Sequence, residues 1–527
     1  YDSKKSGGIT ISNLRFGKKP VRSTYYVDKA SLVVCTKDSY LKKLRMLEKI
    51  EEKGVFIVNT GKNPDEVLAM MTSHDKRILQ SKNVKMFIID ADKIAREAGI
   101  PGKISAIMEV LIFKLGKIFD FNFAIGKIKE NLAVKFANKG GDIVAKNIKA
   151  IDESLESLVP VKLPYVDFVD ELVGKRSVFQ IIESMEGDNL PVSTFIKNPD
   201  GAVEAGSSKL EKRDVSDIGP CYDASNCISC NLCSFVCPHG VIRPFLLNEK
   251  EQIDAPEVVA NNLINANIKD KDYKFSIGAN LENCTGCGLC SEVCPGKAGA
   301  KAIIMKARDE LKRLKKDEEY KYLFNEVSHK EDVMPTNTVK GSQFKKPKFE
   351  FPGACAGCGE TPYLKLLTQL FGDKMMIANA TGCSSIYGAS MPSMPYSVPW
   401  ANSLFEDNAE FGYGMKIADE TIKRRISTMI LNNMKLVKKS EKDIYKNYAE
   451  NINEDTAKAL LEVIDETKIE GLAKLKDFLM PRSVWMIGGD GWAYDIGFNG
   501  IDHVLANREN VNILVLDTEV YSNTGGQ

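Results

Sequence analysis

Short apolar runs alternate with longer amphipathic stretches over residues 9–159. The runs SLVVC, VFIVNTG and VKMFIIDAD have the length and composition of buried strands. Residues 39–53 and the stretches that start at Asn63 and Asp92 place apolar side chains at helical spacing, which predicts helices between and after the strands. Strands and helices in this alternation predict an α/β domain with a mainly parallel sheet.

A second α/β pattern begins near residue 353. It predicts a helix near 362–371, the strands KMMIANA, VWMIGG and VNILVLD, and a long charged helical insertion at 406–478. Between the two patterns lie a proline-punctuated stretch, which predicts a small connecting module, then two cysteine clusters and a lysine-rich stretch at 309–349. The lysine-rich stretch is typical of a solvated helix and linker, although a docking patch for an acidic partner protein also fits it.

Composition narrows the class of protein. A chain of 527 residues predicts about three to four domains. Its 72 basic and 71 acidic residues leave a net charge of +1. This balance excludes electrostatic attraction of the whole molecule to nucleic acid or to an anionic membrane. No apolar run approaches the roughly 20 residues that a membrane span needs, so a soluble protein is expected. The start lacks Met and any signal-like pattern, and we interpret it as an internal cut from which targeting cannot be read.

Eight of the 13 cysteines fall into two clusters of the same spacing, C-x2-C-x2-C-x3-C-P. Three such thiolates can bind one face of an iron-sulfur cube, while the fourth, next to proline, reaches the other cluster, so we expect crossed ligation. One 4Fe-4S cluster is assigned to Cys227, Cys230, Cys233 and Cys294, and the second to Cys284, Cys287, Cys290 and Cys237. Structural zinc favours two CxxC pairs farther apart and fits this spacing less well. The pattern indicates electron transfer in a reducing compartment, such as the cytoplasm or a hydrogenosome-like organelle.

A third set of thiols follows in PGACAGCGE and ATGCSS. Cys355, Cys358 and Cys383 are one ligand short of a 4Fe-4S set. Their spacing alone leaves a partial zinc site or reduced core thiols open, but the electron-transfer clusters upstream favour a third iron-sulfur site. Cys35 and Cys221 stand alone and are interpreted as small buried hydrophobic residues.

The last two strands each lead into a polar turn. VWMIGG continues into GDGWAYDIGFNG, in which Asp490 can hold Mg²⁺ and the start of a helix predicted from Trp492 to about Asn507 favours a diphosphate. VNILVLD delivers Thr518 to the same edge of the sheet, where a hydroxyl and a backbone carbonyl can complete the metal's ligands. A Gly-Asp-Gly followed at this distance by an oxygen-rich loop is typical of thiamine diphosphate sites, while a nucleotide-binding or merely structural turn remains the alternative.

With these sites in this order, the chain resembles pyruvate:ferredoxin oxidoreductases over nearly its whole length. The strings that carry the resemblance are GITISNLRFG, EKR at 211–213, CNLCSFVCPH, CTGCG, CAGCGE, GDGWAYDIGF and DTEVYSNTGGQ. The resemblance implies an α/β multidomain protein of five segments. They are a transferase-like coenzyme A-binding domain (1–160), the connecting module (161–215), a ferredoxin-like domain with two 4Fe-4S clusters (216–308), a linker (309–350) and a thiamine diphosphate domain truncated at its C-terminus (351–527).

The family implies oxidative decarboxylation of pyruvate with coenzyme A to acetyl-CoA and CO2, as part of anaerobic metabolism. Thiamine diphosphate, Mg²⁺ and three 4Fe-4S clusters would be the cofactors, ferredoxin or flavodoxin the electron acceptor, and a homodimer the assembly. Cys355, Cys358 and Cys383 would be three ligands of the third cluster. Asp490, Thr518 and the Val520 carbonyl would bind Mg²⁺.

The remaining contacts are implied by position in the family's motifs. Thiamine diphosphate would be contacted by Glu360, Cys383, Gly489, Asp490, Gly491, Trp492, Thr518, Glu519, Val520, Tyr521, Ser522 and Asn523. Asn523 would also face pyruvate, as the catalytic residue. Coenzyme A would be contacted by the turn Thr10, Ile11 and Ser12, by Ser39 and by Asn138.

The chain also departs from the family. The two N-terminal domains, which supply the glutamate that activates thiamine and the main pyruvate-binding residues, have no counterpart, and the fourth ligand of the third cluster would lie beyond Gln527. An internal fragment that is inactive alone is therefore expected. Three alternatives stay open: an oxidoreductase for another 2-oxoacid, a pyruvate:NADP oxidoreductase with a fused flavin reductase, and a non-catalytic polyferredoxin carrier.

Overall fold

The structure is a computed structural model that describes residues 5, 8–17, 20–22, 25–137, 141–163, 177–269 and 271–524. The chain divides into two compact units. One unit is Ile11–Pro199, and the other combines Tyr1–Thr10 with Asp200–Gln527. The division into five segments stays a prediction.

The unit Ile11–Pro199 is built on a four-stranded sheet in the order β1-β2-β3-β4. The first three strands are parallel and β4 is antiparallel to β3. The strands are β1 (Ala30–Cys35), β2 (Ile50–Asn59), β3 (Lys85–Ile89) and β4 (Val159–Val161). The helices are α1 (Pro64–Met70), α2 (Ser73–Ser81), α3 (Ala91–Glu97), α4 (Ser105–Gly116), α5 (Phe121–Lys135), α6 (Gly141–Glu156) and α7 (Val178–Glu183).

Both faces of this sheet are buried. Phe56 and Val58 of β2 pack into one hydrophobic cluster with residues of α1 and α2, while Ile57 packs into a second cluster with residues of α3 and α4. Successive residues of a strand point to opposite faces, and a strand covered on both faces reads as a continuous apolar run. The predicted α/β fold with a mainly parallel sheet is confirmed.

The helix predicted at 39–53 is wrong. The structure has a short 3-10 helix at Asp38–Lys42, then turns, and β2 begins at Ile50. Leu41, Leu44, Leu47 and Ile50 are all buried. Their spacing of three residues suits one face of a 3-10 helix as well as an α-helix, so the pattern was satisfied by tighter turns.

In the second unit, the cysteine-rich part contains a two-stranded antiparallel ladder and a three-stranded antiparallel sheet in the order β6-β8-β7. The ladder pairs β5 (Ile218–Tyr222) with β9 (Ile303–Ala307). The sheet consists of β6 (Ile242–Leu247), β7 (Ile264–Asn265) and β8 (Lys274–Ala279). The helices are α8 (Leu232–Phe235), α9 (Glu249–Ile253), α10 (Glu257–Ala260) and α11 (Leu289–Glu292).

The lysine-rich stretch at 309–349, which is expected to be a solvated helix and linker, packs more closely than its charge pattern predicts. It contains α12 (Arg308–Arg313), α13 (Lys316–Asn325) and α14 (Val339–Ser342). Leu311, Leu323 and Phe344 are buried among its many lysines. A few apolar side chains at suitable positions are enough to anchor a helix whose other faces are charged.

The last part of the chain contains a fully parallel sheet in the order β11-β10-β12-β13. Its strands are β10 (Met375–Ala380), β11 (Trp400–Ser403), β12 (Ser483–Gly489) and β13 (Asn512–Leu516). The helices are α15 (Thr361–Phe371), α16 (Cys383–Gly388), α17 (Asn408–Asn432), α18 (Lys442–Glu450), α19 (Glu454–Leu461) and α20 (Phe498–Ala506). The predicted charged insertion is helical and has its own hydrophobic cluster, which includes Tyr448 and Leu460.

Strand order decides where the functional residues meet. In the register of the parallel sheet, Gly489 of β12 lies beside Leu516 of β13, and Asn379 of β10 lies beside Ile487. The carboxyl ends of these three strands therefore share one edge, the usual position for ligands in open α/β sheets. Among the helices of the described residues, none is both long enough and apolar enough to cross a membrane.

Candidate iron-sulfur and cofactor site

The two cysteine motifs occupy matching positions in the fold. β5 leads into the first motif, and β9 follows the second. The third cysteine of each motif lies on a short helix, Cys233 on α8 and Cys290 on α11. The antiparallel pairing of β5 with β9 brings the beginning of one motif beside the end of the other.

One set of four thiols lies together as the crossed arrangement predicts. Cys227, Cys230, Cys233 and Cys294 line one cavity together with apolar side chains such as Phe275. Within the described chain, no three His, Cys, Asp or Glu side chains form a group that could hold a metal ion. The four thiols instead surround a cavity, and an all-thiol set is the donor chemistry of iron-sulfur clusters.

Cys237, the fourth cysteine of the first motif, is buried in one hydrophobic cluster with Cys284 and Cys290, and Cys233 belongs to the same cluster. Burial raises the pKa of the Cys284 thiol to about 12 and also raises the pKa of Cys290, and the charge of Cys237 adds to both shifts. Burial likewise raises the pKa of Cys227 and Cys233, and there the charge of Cys294 contributes. Ligation requires thiolates, so cluster binding must offset the cost of ionising these buried groups.

Backbone N–H groups point at three of the thiols. The N–H groups of Ser229, Gly286 and Ala302 donate to the Sγ atoms of Cys227, Cys284 and Cys294 at 3.3, 3.4 and 3.3 Å. Gly286 has φ +67°, and a Cβ there would lie 2.0 Å from the Ser216 hydroxyl, so only glycine fits. Hydrogen bonds to cluster sulfurs are one of the means by which proteins set reduction potential.

The third set of thiols lies next to the second. Cys355 is exposed, while Cys358 and Cys383 are half-buried against one hydrophobic cluster. A Cβ built on Gly357 would lie 3.8 Å from the Cβ of Cys287. Partial burial raises the pKa of Cys287, and a hydrogen bond from the backbone of Gly357 acts in the opposite direction. The loop between Cys355 and Cys358 therefore touches a residue of the second set.

The three oxygens predicted to bind Mg²⁺ converge. The Thr518 hydroxyl donates to Asp490 Oδ2 at 2.8 Å and lies 3.0 Å from the Val520 carbonyl oxygen. Adjacent ligands of an octahedral Mg²⁺ are about 3 Å apart, since each metal–oxygen bond is about 2.1 Å. The residues therefore fit the ion in both spacing and donor type.

Asp490 is also held by the backbone. It accepts hydrogen bonds from the N–H groups of Thr518 at 3.1 Å and Glu519 at 2.9 Å. Burial raises the pKa of Asp490, but the bonds from Thr518 and its neighbours outweigh it, so the pKa lies below the ordinary value. The carboxylate is thus ionised and ready to bind a cation.

Glu360 directly precedes α15 and is bound by a residue of α16, the helix that follows β10. The Tyr387 hydroxyl donates to Glu360 Oε2 at 2.8 Å. Burial raises the pKa of Glu360, the Tyr387 bond lowers it, and the charge of Asp490 raises it again. Cys383 also reaches this region, since its Sγ lies 3.3 Å from the Ser522 hydroxyl.

The GDG turn continues into a single π-helical turn, Gly491–Asp495, before α20 begins, so the helix predicted from Trp492 is interrupted. Such turns often occur at functional sites. A Cβ on Gly491 would lie 3.3 Å from the Tyr521 ring, so glycine allows this close approach, while Gly489 lies at the end of β12. The Trp492 side chain is buried in the core, and its ring N–H finds no hydrogen-bond partner among the described residues.

The remaining loop residues are more exposed. Glu519 is left-handed at φ +60°, Val520 and Ser522 are exposed, and Tyr521 donates to Asp495. Asn523 is exposed, and its side-chain oxygen accepts a hydrogen bond from Lys5. Binding by these residues stays a prediction.

The residues predicted to contact coenzyme A differ in their surroundings. Thr10, Ile11 and Ser12 are exposed in a stretch without regular structure, where the sequence had suggested a turn. Ser39 is buried, and its hydroxyl has no hydrogen-bond partner within the described part of the chain. Asn138 lies outside the described residues. Cys35 and Cys221 are buried in hydrophobic clusters.

Sequence reasoning missed two residues of the site. Tyr387 reaches Glu360 because it follows Cys383 by four residues on α16, a helical spacing that could have indicated it. Lys5 approaches Asn523 from the other end of the unit, and no local signal marks it.

Three family descriptions match parts of the chain. "Pyruvate ferredoxin/flavodoxin oxidoreductase" matches residues 1–157, and "4Fe-4S double cluster binding domain" matches residues 226–297. The EKR family, described as a domain of unknown function, matches residues 164–216.

Curated relatives match the whole chain. A pyruvate:ferredoxin oxidoreductase of Moorella thermoacetica is 43% identical and a pyruvate-flavodoxin oxidoreductase of Trichormus variabilis is 40% identical, each over 100% of this chain and 47% of the relative. A pyruvate dehydrogenase [NADP(+)] of Cryptosporidium parvum is 36% identical over 100% of this chain and 32% of the relative. The chain thus spans about half the length of the first two relatives. It belongs to the family of pyruvate ferredoxin/flavodoxin oxidoreductases, and residues 226–297 are its 4Fe-4S binding domain.

Proposed function

We propose that this chain contributes the electron-transfer and cofactor-binding parts of an enzyme that oxidises pyruvate and coenzyme A to acetyl-CoA and CO2. The two electrons released per pyruvate would pass singly through three 4Fe-4S clusters to ferredoxin or flavodoxin. The observation that carries the proposal is the shared sheet edge, at which the Asp490–Thr518–Val520 oxygens converge and the same loop reaches Cys383 through Ser522. Cys383 lies on α16 with Tyr387, which binds Glu360. A magnesium-diphosphate clamp beside a set of thiols suits a reaction that couples carbon chemistry to one-electron transfer.

Each part of the clamp would have a separate task. Asp490, Thr518 and the Val520 carbonyl would hold Mg²⁺ and through it the diphosphate. Thiamine diphosphate, when bound, supplies the carbanion chemistry that no side chain can provide. Glu360, oriented by Tyr387, would contact the cofactor, and Asn523 would face pyruvate.

The thiols would form the electron path. Cys227, Cys230, Cys233 and Cys294 would hold one cluster, and Cys284, Cys287, Cys290 and Cys237 the second. Cys355, Cys358 and Cys383 would supply three ligands of the third cluster. The approach of Gly357 to Cys287 supports transfer from the third cluster to the second.

Coenzyme A binding and homodimer assembly have different support from the cofactor and cluster sites. The buried hydroxyl of Ser39, unpartnered among the described residues, supports a ligand near the end of β1. Thr10, Ile11, Ser12 and Asn138 are proposed only by their position in the family's motifs. A homodimer is proposed by family membership alone.

Titration calorimetry on the full-length gene product tests the cofactor assignment. Thiamine diphosphate with Mg²⁺ should bind with measurable heat, and the same injections without Mg²⁺ should give much weaker binding. A non-catalytic polyferredoxin would bind neither, so an absence of heat with Mg²⁺ present would refute the proposal.

The Cryptosporidium relative supports a second candidate, a pyruvate:NADP oxidoreductase. Both candidates share the pyruvate and iron-sulfur steps and differ in the final acceptor. Reduction of NADP⁺ by pyruvate without an added ferredoxin would favour the second. An oxidoreductase for another 2-oxoacid is distinguished by the substrate that reduces the clusters.

A further inference from the structure

The EKR motif, residues 211–213, has a divided environment. Glu211 and Arg213 are each only 3% exposed, whereas the side chain of Lys212 is 65% exposed and lies 3.1 Å from Glu282 at the surface. A buried ion pair is costly to place in a protein interior unless its remaining hydrogen-bonding groups are satisfied. The contacts of Arg213 therefore indicate what the motif does.

Arg213 holds a backbone segment more than a hundred residues away. Its Nη1 donates to the carbonyl oxygen of Pro352 at 2.5 Å, and its Nη2 donates to the carbonyl of Phe351. Its Nε lies 3.3 Å from Glu211 Oε2, which also accepts from the Ser393 hydroxyl at 2.8 Å. The planar fork of arginine suits two adjacent carbonyls, a geometry that lysine cannot reproduce.

The segment that Arg213 holds is strained. Phe351 has φ +51°, a left-handed conformation that is uncommon for a bulky residue and persists only where its surroundings enforce it. The Phe351 N–H donates to the carbonyl of His239 at 3.0 Å, and the His239 ring lies 3.1 Å from the Ala354 carbonyl. The chain is thus fixed on both sides just before Cys355.

The residues around the motif continue this arrangement. Ser208 donates to the Glu350 carbonyl at 2.6 Å. On the other side, the Asp214 N–H donates to the Glu282 carbonyl at 2.7 Å, and the Asp214 side chain pairs with Arg308 at 2.8 Å. The segment 208–214 therefore joins the strained loop to the cysteine-rich part near Cys284.

We propose that Glu211 and Arg213 are positioning residues that hold the Cys355–Cys358 loop against the loop of Cys287. In this position Gly357 touches Cys287. Glu211 and Arg213 would therefore control both the assembly of the third cluster and its electron transfer to the second. The inference rests on the proposed function and assigns a role to the EKR motif. The competing explanation is that the pair only stabilises the fold.

The test uses the full-length holoenzyme and three substitutions. Arg213→Lys keeps a cation opposite Glu211 but cannot span both carbonyls. Arg213→Met removes the guanidinium and its hydrogen bonds, and Lys212→Met is the control within the same motif. The electron paramagnetic resonance signal that disappears in Cys383→Ser identifies the third cluster. Thermal melting of each variant reports fold stability separately.

Both Arg213 variants should lose the third cluster's signal or shift its midpoint potential, with Arg213→Met more severe. The signals of the other two clusters should be retained, and Lys212→Met should match the wild type in all three. If Arg213→Met does not fold, Arg213→Lys decides. A folded Arg213→Lys with an unaltered third cluster would overturn the inference. So would a folded Arg213→Lys in which the resonance signals of all three clusters are weakened equally. A wild type without a third signal would instead refute the proposed function.

Discussion

Thr518→Val tests the metal clamp with a change of one group. Valine has nearly the same shape as threonine but lacks the hydroxyl that lies 2.8 Å from Asp490 and 3.0 Å from the Val520 carbonyl. A hydrogen bond to a charged group contributes about 1.5–3 kcal/mol. At about 1.4 kcal/mol per factor of ten, the variant should bind Mg²⁺ and thiamine diphosphate about 10- to 100-fold more weakly.

The controls separate the clamp from general damage to the loop. Thr524→Val removes a hydroxyl from the same loop that, among the described residues, bonds only to the Tyr521 carbonyl, at 3.0 Å, and it should leave affinity unchanged. Thr518→Asn restores a hard oxygen and should recover most of the binding. The measurement is calorimetric titration of Mg²⁺ at saturating thiamine diphosphate. Wild-type affinity in Thr518→Val, or an equal loss in Thr524→Val, would refute the reasoning.

Three further predictions address ligation, pH and packing. Cys294→Ser should abolish the same cluster as Cys227→Ser, and Cys237→Ser should abolish the other one, as read from the resonance spectra of the reduced protein. Burial raises the pKa of Asp75 to about 6 from an ordinary 3.8, so the folded state retains a proton that the unfolded state loses. The contribution of Asp75 to the stability of this unit should therefore be fully present below pH 4 and fall by up to about 3 kcal/mol as the pH rises through 6, and Asp75→Asn should remove that component in urea unfolding. Gly488→Ala should destabilise the protein by about 1–3 kcal/mol in thermal melts, because its Cβ would lie 2.6 Å from the Trp492 ring.

Each of these has a contrary result. Loss of the Cys284 cluster in Cys294→Ser would mean uncrossed ligation. Equal pH dependence in wild type and Asp75→Asn would mean that another group controls it. An unchanged melting temperature in Gly488→Ala would mean that the core around Trp492 yields more easily than its close packing implies.

The local sequence pattern was enough to predict the structure where neighbouring residues determine it. The apolar runs of β2 and β12 are continuous because successive residues pack into clusters on both faces, and the ends of β12 and β13 bring Asp490 and Thr518 to one edge as expected. The helix predicted at 39–53 failed because its spacing suits two kinds of helix. The cysteine spacing predicted that Cys294 lies with Cys227, Cys230 and Cys233, which line one cavity, while the ligation of both clusters stays a prediction.

Contacts between distant segments could not be read from the sequence. Arg213 meets Phe351 across 138 residues without any local signal, and Tyr387 meets Glu360 across 27 residues, with only its spacing from Cys383 to indicate it. The EKR motif is visible as three charged residues, but only the fold shows that two are buried and one is exposed. Burial, rather than residue type, separates the members of the motif.

The most direct test of the central claim is the anaerobic mixing of pyruvate and coenzyme A with the full-length oxidised protein while iron-sulfur absorbance is recorded. We expect rapid bleaching with pyruvate, little with 2-oxoglutarate, and recovery of the absorbance when oxidised ferredoxin or flavodoxin is added. An absence of bleaching with pyruvate, or bleaching by 2-oxoglutarate alone, would contradict the account.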